Sequence, residues 1–256
     1  MLRYSRKQKS RSDEENPYWI SFSDLMSALL VVFILAVVAL VLQLNQKQSS
    51  LDEQQAHFSR QIGTLQNAES VRKAMVVDIQ KTLKAKGLEV IVSEDSSVIS
   101  IPSERLGFQA SSYSIEDSHR EVARAIGTVM SDALRDENRT KYFDTVFVEG
   151  HTDNRNFDGL EGTGNWGLST FRAISLWNLW EEDLPKESQL GQLENANGSP
   201  LFSVSGYGET RPITSKQTTE AERSTNRRID LRFTIVRPTA QDLLDLENKA
   251  KQVEVP

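Results

Sequence analysis

The sequence contains no cysteine and only three histidines among its 256 residues. The lack of cysteine excludes disulfide bonds, a thiolate nucleophile and metal sites built on thiolates. His57, His119 and His151 lie far apart in the sequence and do not have the spacing of metal ligands. We therefore expect neither a metal site nor a cofactor.

A general excess of basic residues is also missing, since the formal net charge is −6. This argues against a nucleic-acid partner. The basic residues that do cluster, at positions 3, 6, 7, 9 and 11, lie at the extreme N-terminus. Such a run either binds nucleic acid or fixes the orientation of a membrane protein, and the segment that follows it favours orientation.

Residues 19–42 form an apolar segment with one acidic and no basic residue. A membrane-spanning helix needs about 20 mostly apolar residues. Tyr18 and Trp19 stand at its start, where aromatic rings favour the headgroup region. The positive-inside rule then predicts one pass through the inner membrane, with a cytoplasmic N-terminus and a periplasmic C-terminal domain. A cleaved signal peptide is the alternative, but its apolar region is usually about 7–15 residues long.

Asp24 is the acidic residue inside this segment, five residues after Trp19 or about 7.5 Å along a helix. Acidic residues within membrane helices are costly and usually functional, which predicts an ion carrier. Ser21, Ser27 and Ala28 share its helical face and form a small packing surface for other helices. The alternatives are an aspartate that serves helix association and a shallow one that stays hydrated.

Residues 43–87 are polar and contain no proline, which predicts a helical linker that ends near Gly87. Leu44, Leu51, Phe58 and Leu65 recur at seven-residue spacing, but the second heptad position is mostly polar. A paired coiled coil and a single solvated helix are therefore both compatible with this pattern.

Residues 88–237 read as an α+β domain. Short β-branched runs at 88–92 and 98–101 suggest a hairpin, and further strands are predicted at 145–149, 201–205 and 228–236. Helices are predicted at 115–134 and 168–179. The predicted fold class is thus one transmembrane helix, a periplasmic helical linker and an α+β domain, with separate tails at 1–18 and 238–256.

Three motifs stand in order within the α+β domain. They are GHTD at 150–153, NWGLSTFRA at 165–173, and GYGETRP at 206–212 followed by NRRIDL at 226–231. Together they resemble the OmpA-like peptidoglycan-binding domain. That family reads the peptide stem of peptidoglycan, often through diaminopimelate, so the resemblance implies one fixed acid and one fixed cation. The matching positions are Thr152, Asp153, Asn165, Leu168 and Arg172.

Residues 226–228 match the closing motif of that family and are interpreted as mainly structural, with Arg223 or Arg227 as rim contacts. Two stretches, at 154–164 and 181–200, look longer than is usual for the family and could reshape or cover the pocket.

The whole chain resembles the MotB-like B subunits of ion-driven stator motors, and among them most closely the ZorB subunits of Zorya antiphage systems. The resemblance implies a homodimer of this chain with a multi-span A-type membrane subunit, five A-type subunits surrounding two B subunits. Asp24 would carry H⁺ or Na⁺ while peptidoglycan holds the dimer still. A flagellar-type stator subunit and a passive OmpA-like tether are the alternatives. An enzyme is not expected, since no nucleophile–base pair, metal site or acid pair is apparent.

Overall fold

The computed structural model describes residues 17–109, 111–159 and 161–237. The predicted basic tail up to residue 16 and the predicted C-terminal tail at 238–256 lie outside the described residues. The chain divides into two compact units, one up to Phe58 and one from Ser59 to Ala240.

Helix α1, Pro17–Ala85, begins with a proline, which suits the first turn of a helix because its missing N–H would have no partner there. The apolar side chains of residues 18–42 are exposed to the surroundings within this chain. Among the described residues, α1 is the one helix long and apolar enough to cross a membrane. Leu44, Leu51 and Phe58, which recur at heptad spacing, are also exposed.

The C-terminal end of α1 lies within the second unit and belongs to its hydrophobic core. Met75, Val76, Ile79 and Leu83 are completely or almost completely buried. Gly87 follows the helix with a φ of +80°, and the Leu88 N–H donates to the Leu83 carbonyl at 2.9 Å. The left-handed conformation of Gly87 turns the chain so that the Leu88 N–H satisfies one of the last carbonyls of the helix.

A five-stranded sheet forms the centre of the second unit, in the order β1-β2-β5-β3-β4. All neighbouring strands are antiparallel except β3 and β4, which are parallel and connected through a helix. The strands are β1 Ile91–Val92, β2 Val98–Pro102, β3 Phe143–His151, β4 Phe202–Gly206 and β5 Arg228–Ile235.

Three further helices accompany the sheet: α2 Arg120–Arg135, α3 Gly164–Asp183 and α4 Glu220–Asn226. The side chains that α2, α3 and the end of α1 turn towards the strands form one core. Trp180 is fully buried there, and its indole N–H donates to the Ala123 carbonyl at 2.7 Å. Short 3₁₀ turns lie at Ser103–Leu106, Asp117–His119, Asp136–Tyr142, Lys186–Ser188 and Leu190–Gln192.

The predicted fold class, with a long apolar N-terminal helix, a helical linker and an α+β domain, is confirmed. Several element boundaries differ from the prediction by a few residues, and two of the differences have a direct cause. The first strand is only two residues long, because Leu88 bonds back to α1. Helix α2 begins at Arg120 and not at residue 115, since a 3₁₀ turn precedes it. Helix α1 also runs without a break across residue 42, so the domain boundary predicted there stays a prediction.

Candidate peptidoglycan-binding site

The register of the sheet sets the position of the candidate site. Strand β3 ends at His151, which is paired with Arg228 at the start of β5. The residues just beyond this pair, Asp153 after β3 and Arg227 before β5, therefore meet at the same edge of the sheet. Ligands of α/β sheets commonly bind beyond the carboxyl ends of the strands, which is where these residues lie.

Helix α3 packs very closely on this end of the sheet. A side-chain carbon added at Gly150 would clash with the carbonyl oxygen of Ser169, and one added at Gly206 would clash with Thr170. Gly150 and Gly206 are neighbours in the parallel β3–β4 pair. Glycine at both positions lets the first turns of α3 approach the strands and brings its N-terminus next to Asp153.

Asp153 is buried, with 5% of its surface exposed, and is surrounded by two arginines. It accepts hydrogen bonds from the Arg155 guanidinium at 2.6 Å, from the Arg155 backbone N–H at 3.0 Å and from the Arg227 guanidinium at 2.7 Å. Burial raises the pKa of Asp153, but these hydrogen bonds outweigh it and hold the pKa below its ordinary value. Asp153 is therefore a carboxylate at neutral pH.

Arg172 on α3 is fully buried. Its guanidinium donates to the carbonyls of Ser112 at 2.9 Å and Gln109 at 2.7 Å, and it lies over the Phe108 ring at 5.5 Å. Burial, together with the positive charge of Arg227, lowers the pKa of Arg172 to about 10. The side chain stays cationic at neutral pH, and it holds the backbone of Gln109 and Ser112 close to Ser111, which lines the site.

The five residues that the sequence singled out for peptidoglycan binding lie around one cavity of about 120 Å³. The Asn165 side chain donates to the Arg155 carbonyl at 2.9 Å, which ties α3 to the loop that follows Asp153. Thr152 donates its backbone N–H to the Gly208 carbonyl at 2.9 Å, and Leu168 is buried. The predicted members of the lining are Thr152, Asp153, Asn165, Leu168 and Arg172.

Five more residues line the same cavity, and the sequence analysis had selected none of them as a central contact. Arg227 was interpreted as structural or as a rim contact, yet it is buried directly against Asp153. Arg155 was not selected at all, although it follows Asp153 by two residues, a spacing at which an aspartate side chain can accept the backbone N–H. These additional residues are Ser111, Arg155, Asn156, Phe157 and Arg227.

The described lining is rich in positive charge, with three arginines and one aspartate. Glu220 partly compensates them from outside the cavity, since it pairs with Arg227 at 2.7 Å and with Arg155 at 3.3 Å. The cavity also lies at the N-terminus of α3, a helix with no acidic residue in its first turn. The helix dipole and the arginines both favour a ligand that presents carboxylates.

The two long stretches noted in the sequence differ in their relation to the cavity. The stretch 154–164 contributes three lining residues, Arg155, Asn156 and Phe157. The stretch 181–200 contributes none of the described lining and instead places Leu184, Leu190 and Leu193 in the core. The first stretch therefore shapes the candidate site, whereas the second extends the core.

Glu149, His151 and Asp230 form a buried cluster below the site, with their ligand-type atoms within 4.8 Å of one another. Arg232 donates to Glu149 at 2.8 Å, and Arg228 donates to Asp230 at 3.0 Å. A metal ion would have to compete with both arginines, so the cluster fits a charge-compensated ion-pair network. Burial raises the pKa of Asp230, but His151 and Arg228 have a larger opposite effect, so that the pKa lies below its ordinary value.

Asp24 and the small residues of its predicted packing face lie on the exposed surface of α1. The Ser27 hydroxyl donates to the Ser23 carbonyl at 2.8 Å and is thereby satisfied within the helix. Asp24 has no hydrogen-bonding or ion-pair partner among the described residues of its own chain. Ser21, Ala28 and Asp24 remain available to helices from other chains.

Comparison with known proteins places the motifs in a family context. Residues 107–227 match the OmpA family. The chain is 23% identical to the Zorya protein ZorB of Escherichia coli O139:H28, over 97% of this chain and 91% of that protein. It is 34% identical to motility protein B of Bacillus subtilis over 86 residues, which cover 34% of this chain and 28% of that protein.

Two solved structures are also similar to the chain. A MotB-like protein from Desulfovibrio vulgaris is 15% identical with a TM-score of 0.49, covering 69% of this chain and 98% of that one. The cell wall anchor of the Pseudomonas aeruginosa T6SS is 24% identical with a TM-score of 0.45, covering 64% and 99%. The chain is therefore similar to the OmpA family within its α+β domain and to ZorB along nearly the whole sequence.

Proposed function

We propose that this chain is the peptidoglycan-anchored B subunit of a proton-driven membrane motor in antiphage defence. The observation that carries the proposal is the presence, in one chain, of a lone acid in an apolar helix and of a cavity lined by an acid and arginines. A motor that produces torque needs an ion carrier in the membrane and an anchor outside it. The similarity to ZorB along 97% of the chain supports the antiphage setting over a flagellar one.

The membrane end of the proposal rests on Asp24. A carboxylate at the membrane centre costs about 2.5–3.5 kcal/mol on insertion scales, and Asp24, about 7.5 Å along the helix from Trp19, has a smaller but still unfavourable cost when it faces hydrocarbon. Burial against other helices removes this cost, and Ser21, Ser27 and Ala28 allow a close approach. The functional unit is therefore a homodimer of this chain within a complex with a multi-span A-type subunit, five of the latter around two of the former. The N-terminus is cytoplasmic and the OmpA-like domain is periplasmic.

The outer end rests on Asp153 and Arg172, with Thr152, Asn165 and Leu168 beside them. Arg172 offers a planar guanidinium to a stem-peptide carboxylate, and Asp153 offers a carboxylate to an ammonium group. The cavity of about 120 Å³ has room for an amino-acid head group, since a water takes about 30 Å³ in the liquid. The described lining contains no histidine, and its one carboxylate, Asp153, is already bound by Arg155 and Arg227, so we expect no enzymatic activity.

The anchor is tested by binding of the purified full chain, in detergent, to isolated sacculi. Asp153→Ala and Arg172→Ala should each weaken binding, because the partner charge of the ligand is left unpaired, which costs about 2–5 kcal/mol when the pair is desolvated. Arg124→Ala, which removes an arginine that pairs with Asp183 and does not line the cavity, is the control. Unchanged binding by both site variants would refute this location of the anchor.

The ion carrier is tested by phage protection in cells that also express the A-type subunit. Asp24→Asn keeps the shape of the side chain but removes its titration, so protection should vanish while membrane insertion and assembly persist. Asp24→Glu should keep part of the activity because it still titrates. Asp52→Asn, an exposed change on the same helix, is the control. Full protection by Asp24→Asn would rule out the ion-carrier role, and it would leave the passive tether as the better account.

A further inference from the structure

Arg155 occupies the position that a ligand ammonium would take on Asp153. Its Nη2 donates to Asp153 Oδ2 at 2.6 Å, its Nε lies 3.1–3.2 Å from both carboxylate oxygens, and its backbone N–H donates to Oδ1. Arg227 contributes a further bond to Oδ2. Asp153 therefore already accepts as many hydrogen bonds as a carboxylate usually does, and a ligand ammonium must replace one of these donors.

Arg155 is the donor that can leave. Its side chain is 43% exposed, whereas that of Arg227 is 8% exposed. It lies between β3 and α3, in a stretch without helix or strand, so its movement breaks no sheet or helix hydrogen bond. Glu220 pairs with both arginines, but it holds Arg227 more closely, at 2.7 Å, than Arg155, at 3.3 Å. Ligand entry should therefore displace the Arg155 guanidinium and leave Arg227 on Asp153.

We propose that Arg155 is a specificity-determining residue, which moves from Asp153 to a second carboxylate of the ligand. The inference rests on the proposed function, because it concerns the same cavity. Arg172 pairs with one carboxylate, Asp153 takes the ammonium, and the displaced Arg155 pairs with the other carboxylate. The ligand class is a stem-peptide head group that carries one free ammonium and two free carboxylates.

The charge of the lining favours this ligand over one with a single carboxylate. Three arginines and one aspartate face the cavity, and the compensating Glu220 lies outside it. A head group with one ammonium and one carboxylate is neutral and leaves this excess in place. A second carboxylate gives the head group a net negative charge. It also offers a new partner to Arg155, whose ion pair with Asp153 is broken when the ligand enters.

The test compares two muropeptides as competitors for binding of the full chain, in detergent, to sacculi. One ends on diaminopimelate with both of its carboxylates free, and in the other the side-chain carboxylate is amidated. Wild type should prefer the free diacid by about fivefold, since a half-exposed ion pair contributes up to about 1 kcal/mol. Arg155→Gln should reduce this preference to below about twofold, and it should bind the amidated form more tightly than wild type does because Asp153 is then uncovered.

Arg155→Lys retains the positive charge and should retain most of the preference, while Arg124→Gln makes the same change of charge away from the cavity and should not alter it. Thermal unfolding of each variant separates loss of fold from loss of selectivity. An unchanged preference in Arg155→Gln, or equal competition by both muropeptides in wild type, would overturn the role of Arg155 and leave the anchor intact. Failure of wild type to bind sacculi would overturn the proposed function itself.

Discussion

Replacement of Asp153 by asparagine tests the electrostatic account of the site through stability. The variant keeps the shape of the side chain but removes the negative charge that faces Arg227, which is itself buried with 7% of its surface exposed. Removal of one partner from a buried ion pair costs about 3–5 kcal/mol. Asparagine keeps one acceptor oxygen, and Glu220 still pairs with Arg227 at 2.7 Å, so we expect the lower end, about 3 kcal/mol.

Urea unfolding of the full chain in detergent measures this loss through tryptophan fluorescence, to which the buried Trp180 contributes. With a urea slope of about 2 kcal/mol per M, the midpoint should fall by about 1.5 M. Asp158→Asn, an exposed change in the same loop, is the matched control and should alter the midpoint little. A loss below about 1 kcal/mol at neutral pH would refute the reasoning, since it would mean that Arg227 does not depend on Asp153.

The loss should also depend on pH in a defined direction. The pKa of Asp153 is lower in the folded protein than its ordinary value, so the carboxylate stabilises the fold above the unfolded pKa of about 3.9. This contribution disappears as the pH falls through the folded pKa. The difference in stability between wild type and Asp153→Asn should therefore be constant between about pH 5 and 8 and should narrow below about pH 4. A difference that stays constant into acid would contradict the assigned pKa shift.

Two further predictions concern packing. Gly150→Ala should destabilise the domain by about 1–3 kcal/mol or more in urea unfolding, because the new carbon meets the Ser169 carbonyl. Gly63→Ala is the matched control. It has open space around it and should be neutral or stabilising by up to about 1 kcal/mol. Equal effects would contradict the close packing of α3. Single cysteines introduced at Ser21, Ser27 and Ala28 should crosslink to the multi-span partner in native membranes more efficiently than one at Phe22, and uniform crosslinking would argue against a defined packing face.

The sequence predicted the elements of the domain, and the predicted site residues lie close together because their motifs stand at a strand end and at the start of the next helix. Asp153, Asn165 and Arg172 all line the same cavity. That these residues bind peptidoglycan stays a prediction. The seven-residue spacing along α1 likewise remains compatible with either a paired or a single helix, since its apolar residues are exposed within this chain.

The contribution of the other arginines could not be predicted from the sequence. Arg227 reaches Asp153 because His151 is paired with Arg228, and a register between strands 77 residues apart leaves no local pattern. Arg155 lies in a stretch that departs from the family pattern, so the resemblance offered no position to compare it with. The sequence also could not predict what packs against the C-terminal end of α1. The helical period of its apolar residues predicts a buried face, but it does not say which part of the protein covers that face.

The burial of the end of α1 also decides where the domain begins as an autonomous folding unit. Met75, Val76, Ile79 and Leu83 are part of the core, and burial of each such side chain contributes about 1.5–3 kcal/mol. Their sum is comparable to the total stability of about 5–15 kcal/mol that a domain usually has. A soluble fragment that starts at β1 lacks these four side chains, so it would expose the apolar surface that they cover and would aggregate. A fragment that starts near Ser59, where the second compact unit begins, retains the whole core.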